Sequence, residues 1–148
     1  MNINGVTIFL IVWVIIATFL ITSFYRRGKR ALSIFPDINS VMVKYRDMSA
    51  SGYSTKNWIT KRGRASGVLD IVVTDDELWL KSMLLFAGIL KKYDLLHKIP
   101  LKKIMKANNI TGRKVTLDFK SETGENKQVV LITKRPDELI RAIKNNNS

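Results

Sequence analysis

The sequence predicts a mainly β protein with a helix at each end. We expect an N-terminal transmembrane helix, then an antiparallel β-sandwich or partial barrel that is capped by a C-terminal helix. Three observations lead to this prediction. The first 25 residues contain no charged side chain. Two later segments alternate apolar and polar residues on either side of a polar turn, as paired strands do. The last segment before the polar tail has apolar residues at helical spacing.

The apolar run from Gly5 to Tyr25 is long enough to cross a bilayer as one helix. At ~1.5 Å of rise per residue it spans roughly 30 Å, the thickness of the hydrocarbon core. A helix also satisfies its own backbone where no water is present. A cleaved signal peptide would place its basic residues before a shorter apolar core and end at a small-residue cleavage site. A buried helix of a soluble protein would not be apolar on every face in so short a chain. We therefore predict a retained anchor.

The charges after this run predict its orientation. Four of the next five residues are cationic, namely Arg26, Arg27, Lys29 and Arg30. Because such residues are retained on the cytoplasmic side, residues 1–4 should lie outside and the C-terminal domain inside a prokaryotic plasma membrane. The net charge is +13, and every charged side chain follows residue 25. We expect the four cations to contact anionic headgroups, where each is worth ~1 kcal/mol.

Residues 26–55 are predicted to be a basic juxtamembrane segment with one short helix. Pro36 and Asp37 are typical of a helix start. The helix should end near Met48, before a stretch with the composition of a loop. Its apolar residues recur at helical spacing, at Ile38, Val41, Met42 and Tyr45.

Residues 56–148 are predicted to form one domain. The alternation predicts a hairpin over 67–82, a second hairpin that turns at Gly124, and a short strand within 97–104. An extended segment is expected at 58–60. The helix predicted at 136–145 has acidic residues in its first turn, which suits the helix dipole.

The apolar stretch 83–96 is compatible with a strand, an insertion with a helical turn, or a hairpin tip. It has too many large apolar residues for one face of a strand. They would enter the core, or they would form a lipid-dipping or partner-binding patch. Lys91, Lys92 and Tyr93 stand beside these apolar residues, as interfacial anchors would.

Four motifs together resemble the bacterial pleckstrin-homology-like (PH-like) domains, including the GRAM-type branch. They are VLDIVVTDDELWL at 68–80, IPLKKI at 99–104, the hairpin around Gly124 and DELIRAI at 137–143. The resemblance covers roughly residues 57–145. It implies seven strands in two near-orthogonal antiparallel sheets capped by the C-terminal helix.

Members of this family bind phosphoinositides, peptides or proteins. Those that bind phosphoinositides use basic residues in the loop between the first two strands. The resemblance therefore implies a candidate anion-binding loop formed by Lys56, Lys61, Arg62 and Arg64. The spaced basic signature of those members is not reproduced here, which favours diffuse contact with an anionic lipid surface.

The residue types of common catalytic sites are sparse. The chain has no cysteine and one histidine, His97, and it carries no phosphate-binding glycine fingerprint and no metal-ligand spacing. We predict a non-enzymatic protein with no catalytic residue, no metal and no cofactor.

The predicted function is that of a membrane-anchored binding or scaffold module that engages anionic lipid, a protein partner, or both. A second basic run would assist, at Lys91, Lys92, Lys98, Lys102, Lys103 and Lys106. One alternative is an accessory subunit of a membrane complex without a ligand of its own. A less favoured alternative is nucleic-acid binding through the basic surface, with Trp79, Tyr93 and Phe119 as stacking aromatics. The sequence leaves the partner and the oligomeric state open.

Overall fold

The computed structural model describes residues 4–56 and 63–145. Helix α1 opens this part of the chain and helix α3 closes it, with a second helix and seven strands between them. The bounds are α1 Gly5–Leu32, β1 Val43–Ser54, β2 Ala65–Thr74, β3 Glu77–Ser82, α2 Leu84–Lys92, β4 His97–Pro100, β5 Ile104–Thr111, β6 Lys114–Lys120, β7 Asn126–Ile132 and α3 Pro136–Lys144. The predicted fold class is therefore confirmed. The extended segment predicted at 58–60 lies outside the described residues.

The seven strands form one open antiparallel sheet in the order β4-β3-β2-β1-β7-β6-β5. Each half of the sheet is a meander of strands that are consecutive in the chain. The first strand, β1, joins the halves because it pairs with β2 along most of its length and with β7 at its end. In the second pairing Ser51 lies opposite Ile132 and Ser54 lies opposite Val129.

The sheet curls around α3. This helix contacts β5 on one side and both β1 and β2 on the other. In a flat sheet the four strand spacings between β2 and β5 would amount to ~19 Å. A helix is only ~10–12 Å across with its side chains, so one helix reaches both strands only if the sheet bends. The core therefore lies on the concave face, beneath α3.

Alternation along the strands supplies this core. In β2 the side chains of Leu69, Ile71 and Val73 are fully buried and belong to the main cluster. From α3, Leu139 and Ile143 enter the same cluster. Both predicted hairpins are confirmed, since β2 pairs with β3 and β6 pairs with β7. The predicted C-terminal helix is confirmed as well.

The short helix predicted from Asp37 to Met48 is wrong. A single 3₁₀ turn, Ile38–Ser40, occupies its start, and β1 has already begun at Val43. The residues that were predicted to form a loop after Met48 belong to the second half of β1. Apolar residues spaced by three and four positions suit a helix. Here, however, the segment forms a central strand, whose backbone makes hydrogen bonds with β2 on one side and β7 on the other. Three shifts in register, between Val43 and Tyr45, between Asp47 and Ala50 and between Ala50 and Gly52, obscure the strand period.

The convex face of the sheet is covered near β3 by the segment after α1. Val72 and Trp79 are fully buried, although they lie outside the main core cluster. The ring of Phe35 packs on that of Trp79 with centroids 6.1 Å apart. The Trp79 indole N–H donates to Glu77 Oε2 at 2.8 Å. The polypeptide between α1 and β1 is thus held against the domain by aromatic packing.

A buried carboxylate joins β1 to the start of α3. Asp47 Oδ2 accepts from the Thr133 hydroxyl at 2.7 Å and from the Lys134 N–H at 3.1 Å, and Oδ1 accepts from the Ser49 N–H at 3.2 Å. The Tyr45 hydroxyl also bonds to Thr133. Burial opposes ionisation of Asp47, but the bond from Thr133 and the two N–H bonds outweigh it, so the Asp47 pKa falls below its ordinary value of 3.8.

Replacing Asp47 by asparagine should lower the free energy of unfolding by about 2 kcal/mol, because one amide oxygen replaces two charged acceptor oxygens. The carboxylate's contribution is complete above its unfolded pKa and is lost as pH falls through the lower folded pKa. The difference between wild type and Asp47→Asn should therefore shrink in acid. Urea unfolding of the full chain in mild detergent at several pH values measures this. Asp76→Asn, an exposed turn residue, is the control, and equal stability of the two variants would contradict the assignment.

Candidate membrane-facing basic site

Helix α1 continues beyond the apolar run into the basic residues. It has 28 residues, of which only Gly28 and Ala31 are buried. Its most apolar 18-residue window has a mean hydropathy of 2.6 and no buried residue. The hydroxyls of Thr18 and Thr22 donate to the carbonyls of Val14 and Thr18, each at 2.8 Å, so they are satisfied inside the helix. This helix is long and apolar enough to cross a membrane.

A close crossing of α1 and α2 connects the apolar helix to the sheet domain. A Cβ atom added to Gly28 would overlap the carbonyl oxygen of Leu84 at the start of α2. A Cβ atom added to Gly88 would lie 3.4 Å from Cβ of Arg27. Glycine at position 28 therefore lets the two backbones approach to a distance that other residues would prevent, whereas a Cβ atom at position 88 would make an ordinary van der Waals contact. The crossing lies at the cytoplasmic end that the sequence predicts for α1.

A small apolar cluster extends the crossing towards the domain. Ala31 of α1, Ala87 of α2 and Leu96 are buried together, and Leu32 and Phe35 pack against them. Since Phe35 also contacts Trp79, the contact is continuous from α1 to the convex face of the sheet. The end of α1 is therefore attached through α2 and through its own continuation.

The four juxtamembrane cations lie next to Gly28 in the sequence of α1. At 100° per residue they cover an arc of about 160° that excludes Gly28, so they lie mainly on the side of α1 that faces away from α2. Arg26, Arg27, Lys29 and Arg30 are all exposed. Among the ion pairs of the described residues, none involves any of these four cations. A shallow groove of about 430 Å³ runs along one face of α1 from the apolar run to the cations, and it is lined by Phe19, Thr22, Ser23, Arg26, Arg27 and Arg30. A groove with an apolar upper end and a guanidinium-rich lower end suits a lipid with an anionic headgroup.

The candidate anion-binding loop is described only in part. Lys61 and Arg62 lie outside the described residues, whereas Lys56 and Arg64 are exposed. A Cβ atom added to Gly63 would overlap the ring of Tyr93, which directly follows α2. The end of this loop therefore lies beside the last turn of α2.

The last turn of α2 brings two cations of the second basic run into this region. Lys91 and Lys92 are exposed in that turn. Tyr93 follows Lys92 in the chain and lies against Gly63, which precedes Arg64. This contact places the end of α2, with its two lysines, beside the part of the loop that carries Arg64. Their separation in the sequence did not indicate this relation.

The rest of the second basic run is distributed over other elements. Lys98 of β4 pairs with Glu77 at 3.3 Å, and Nζ of Lys103 lies 3.5 Å from the Ser121 carbonyl oxygen. Lys102 is exposed in a 3₁₀ turn and Lys106 is exposed on β5. The six lysines are therefore spread over four elements, and two of them have polar partners within the domain.

The histidine belongs to a polar cluster that links the halves of the sheet. Nζ of Lys127 in β7 lies 2.7 Å from Asp94 Oδ1, and His97 Nε2 lies 3.4 Å from the same oxygen and 2.8 Å from the Asp94 carbonyl oxygen. Burial opposes ionisation of Asp94, but the bonds from His97 and Lys127 prevail and hold its pKa well below the usual range. The His97 ring also packs edge-on against Phe119. Asp94, His97 and Lys127 thus bond to one another, and these bonds have a structural role in the domain.

The other sequence-derived candidates are also placed by the structure. Trp79 and Phe119 are buried, so neither offers a ring face for stacking on a base, and Tyr93 is half-buried. Asp70 receives a two-point hydrogen bond from Arg46, at 3.2 and 3.0 Å, so this carboxylate is already paired. Across residues 4–56 and 63–145, no group of three or more potential metal ligands occurs.

Comparison with protein-family models finds no match for this sequence, and comparison with curated proteins finds no significant similarity. The properties of the site therefore follow from its own geometry.

Gly28→Ala should loosen α2 from α1. The overlap with Leu84 costs about 1–3 kcal/mol, which exceeds the gain of up to ~1 kcal/mol that alanine brings within a helix. Hydrogen exchange of the full chain in nanodiscs measures this, and the amides of α2 should exchange faster. Gly5→Ala is the matched control, because nothing lies within 4 Å of a Cβ atom at that end of the same helix. Unchanged α2 protection in Gly28→Ala would contradict the close crossing.

Proposed function

We propose that this chain is a single-pass, non-enzymatic membrane protein that holds a PH-like domain against the cytoplasmic face of a bacterial plasma membrane. The domain would contact anionic lipid through the juxtamembrane cations and present its remaining surface to a protein partner. The observation that carries the proposal is the close α1–α2 crossing, which connects an exposed apolar helix to the domain. The four cations next to Gly28 in the sequence form no ion pairs with the described residues.

Two features support the PH-like assignment. The strands form two antiparallel meanders, β1–β4 and β5–β7, that are joined by the pairing of β1 with β7. A single C-terminal helix closes the concave face and contributes Leu139 and Ile143 to the core. The number of strands and the closing helix agree with what the resemblance implies, although the seven strands here form one continuous sheet and not two separate ones.

The charge distribution supports the lipid contact. No acidic residue occurs before Asp37, so the cations at the end of α1 have no carboxylate close to them in the sequence. Each Lys or Arg near an anionic leaflet is worth ~1 kcal/mol, and the same cations favour retention of the domain on the cytoplasmic side. The non-enzymatic part of the proposal is supported by the absence of cysteine from the sequence and by the structural bonds of His97.

The orientation is testable because the chain has no cysteine. Asn4→Cys should react with a membrane-impermeant maleimide on intact spheroplasts, since it precedes α1 on the proposed outer side. Ser66→Cys, which is exposed at the start of β2, should react only after the membrane is permeabilised. The unmodified chain is the control for background labelling. Reaction of Ser66→Cys on intact spheroplasts would reverse the proposed orientation.

The lipid contact predicts a preference among the lipids that surround the protein. In proteoliposomes, spin-labelled phosphatidylglycerol should associate with the full chain several-fold more strongly than spin-labelled phosphatidylcholine, and added salt should weaken this preference. Replacing Arg26, Arg27, Lys29 and Arg30 by glutamine should abolish it.

The matched control removes the same charge from exposed positions outside both basic runs, namely Arg113, Lys114, Lys120 and Lys144. The preference should persist in that variant. Equal loss in both variants would show that net charge, and not the site at the end of α1, produces the effect.

A further inference from the structure

Helix α2 leaves a face of large apolar side chains exposed. The exposed fractions are 54% for Leu85, 40% for Phe86 and 41% for Ile89, and 63% for Met83 immediately before the helix. At 100° per residue, the three helical positions fall within an arc of about 100°. The other side of α2 packs against α1 and the core through Leu84, Ala87, Gly88 and Leu90. The apolar face therefore has no cover in the described part of the chain.

The crossing with α1 determines the depth of α2 relative to a bilayer. Its contacts with α1 include Arg27 and Gly28, which follow the end of the apolar run at Tyr25 by two and three residues. At ~1.5 Å per residue this corresponds to about 3–5 Å beyond the hydrocarbon core. The headgroup layer on each side is roughly 5–8 Å thick. If α1 spans the membrane, α2 lies within that layer.

We propose that α2 is an interfacial helix that inserts the side chains of Met83, Leu85, Phe86 and Ile89 into the cytoplasmic leaflet of the bilayer that α1 crosses. This inference rests on the proposed function, because it requires α1 to span the membrane. It adds a second attachment point, which determines the height and orientation of the domain.

Two observations identify lipid as the occupant of this face. Lys91 and Lys92 end the helix, and Tyr93 follows them. Tyrosine is enriched at the level of the lipid headgroups. No acidic residue occurs from Met83 to Tyr93, so the segment carries only positive charge. Apolar side chains beside lysines are the pattern of helices that lie in the membrane interface.

The experiment measures lipid contact at single positions in the full chain. Leu85→Cys and Ile89→Cys would each carry an environment-sensitive fluorophore, in nanodiscs that hold one chain and phosphatidylcholine with phosphatidylglycerol. Lipids with a spin label near the top of the acyl chain should quench both sites. Ile110→Cys is the matched control, since Ile110 is an exposed isoleucine on β5 with an exposed fraction of 57%. Quenching at the two α2 sites should be several times that at Ile110.

Ile16→Cys, in the apolar run of α1, separates failure of this inference from failure of the proposed function. Quenching at Ile16 without quenching at Leu85 and Ile89 would overturn the insertion of α2 and leave the anchor in place. Absence of quenching at Ile16 would overturn both. Protection of the α2 sites from aqueous iodide without lipid quenching would show that protein covers the patch, which also overturns the inference. Leu85→Glu combined with Ile89→Cys should lose most of the lipid quenching at position 89 if both side chains enter the leaflet.

Discussion

The position of the whole domain depends on the close backbone approach at Gly28. An apolar helix in lipid has its own hydrogen bonds satisfied, so by itself it does not orient a domain attached to its end. The crossing provides that orientation, because α2 and the segment 33–41 both attach the end of α1 to the sheet. The anchor and the domain therefore form one packed unit. A flexible tether would leave the domain free to rotate, whereas this junction fixes the orientation of the domain relative to α1.

The sequence predicts those parts of the fold in which short-range pattern and packing agree. The two hairpins alternate around polar turns, and α3 has apolar residues on one face. The prediction for β1 was wrong because three register shifts interrupt its alternation and leave spacings that suit a helix equally well. Strand β5 was not predicted because only Ile104 and Ala107 of its eight residues are buried. An edge strand with so little apolar alternation has a weak signature in sequence.

The candidate site was predictable in residue type more than in arrangement. The cations after Tyr25 are evident in the sequence, but nothing local relates Arg64 to Lys91 and Lys92. Gly63 against Tyr93 makes that connection, and it is a tertiary contact. The sequence contains one indication of the α1–α2 crossing. Glycine within a helix costs up to ~1 kcal/mol relative to alanine, so Gly28 inside a basic helical turn already indicated a close approach of another backbone.

Rigid attachment also bears on how such a domain would bind a partner. A protein confined to one membrane with a defined orientation meets other membrane proteins at a raised effective concentration, and less rotational freedom is lost on association. The surfaces not used by the junction include the two edge strands of the open sheet, β4 and β5. The outer side of an edge strand presents backbone N–H and C=O groups with which a membrane partner could pair. If α1 spans a membrane, as proposed, the junction at Gly28 determines which faces of the domain remain for protein contacts.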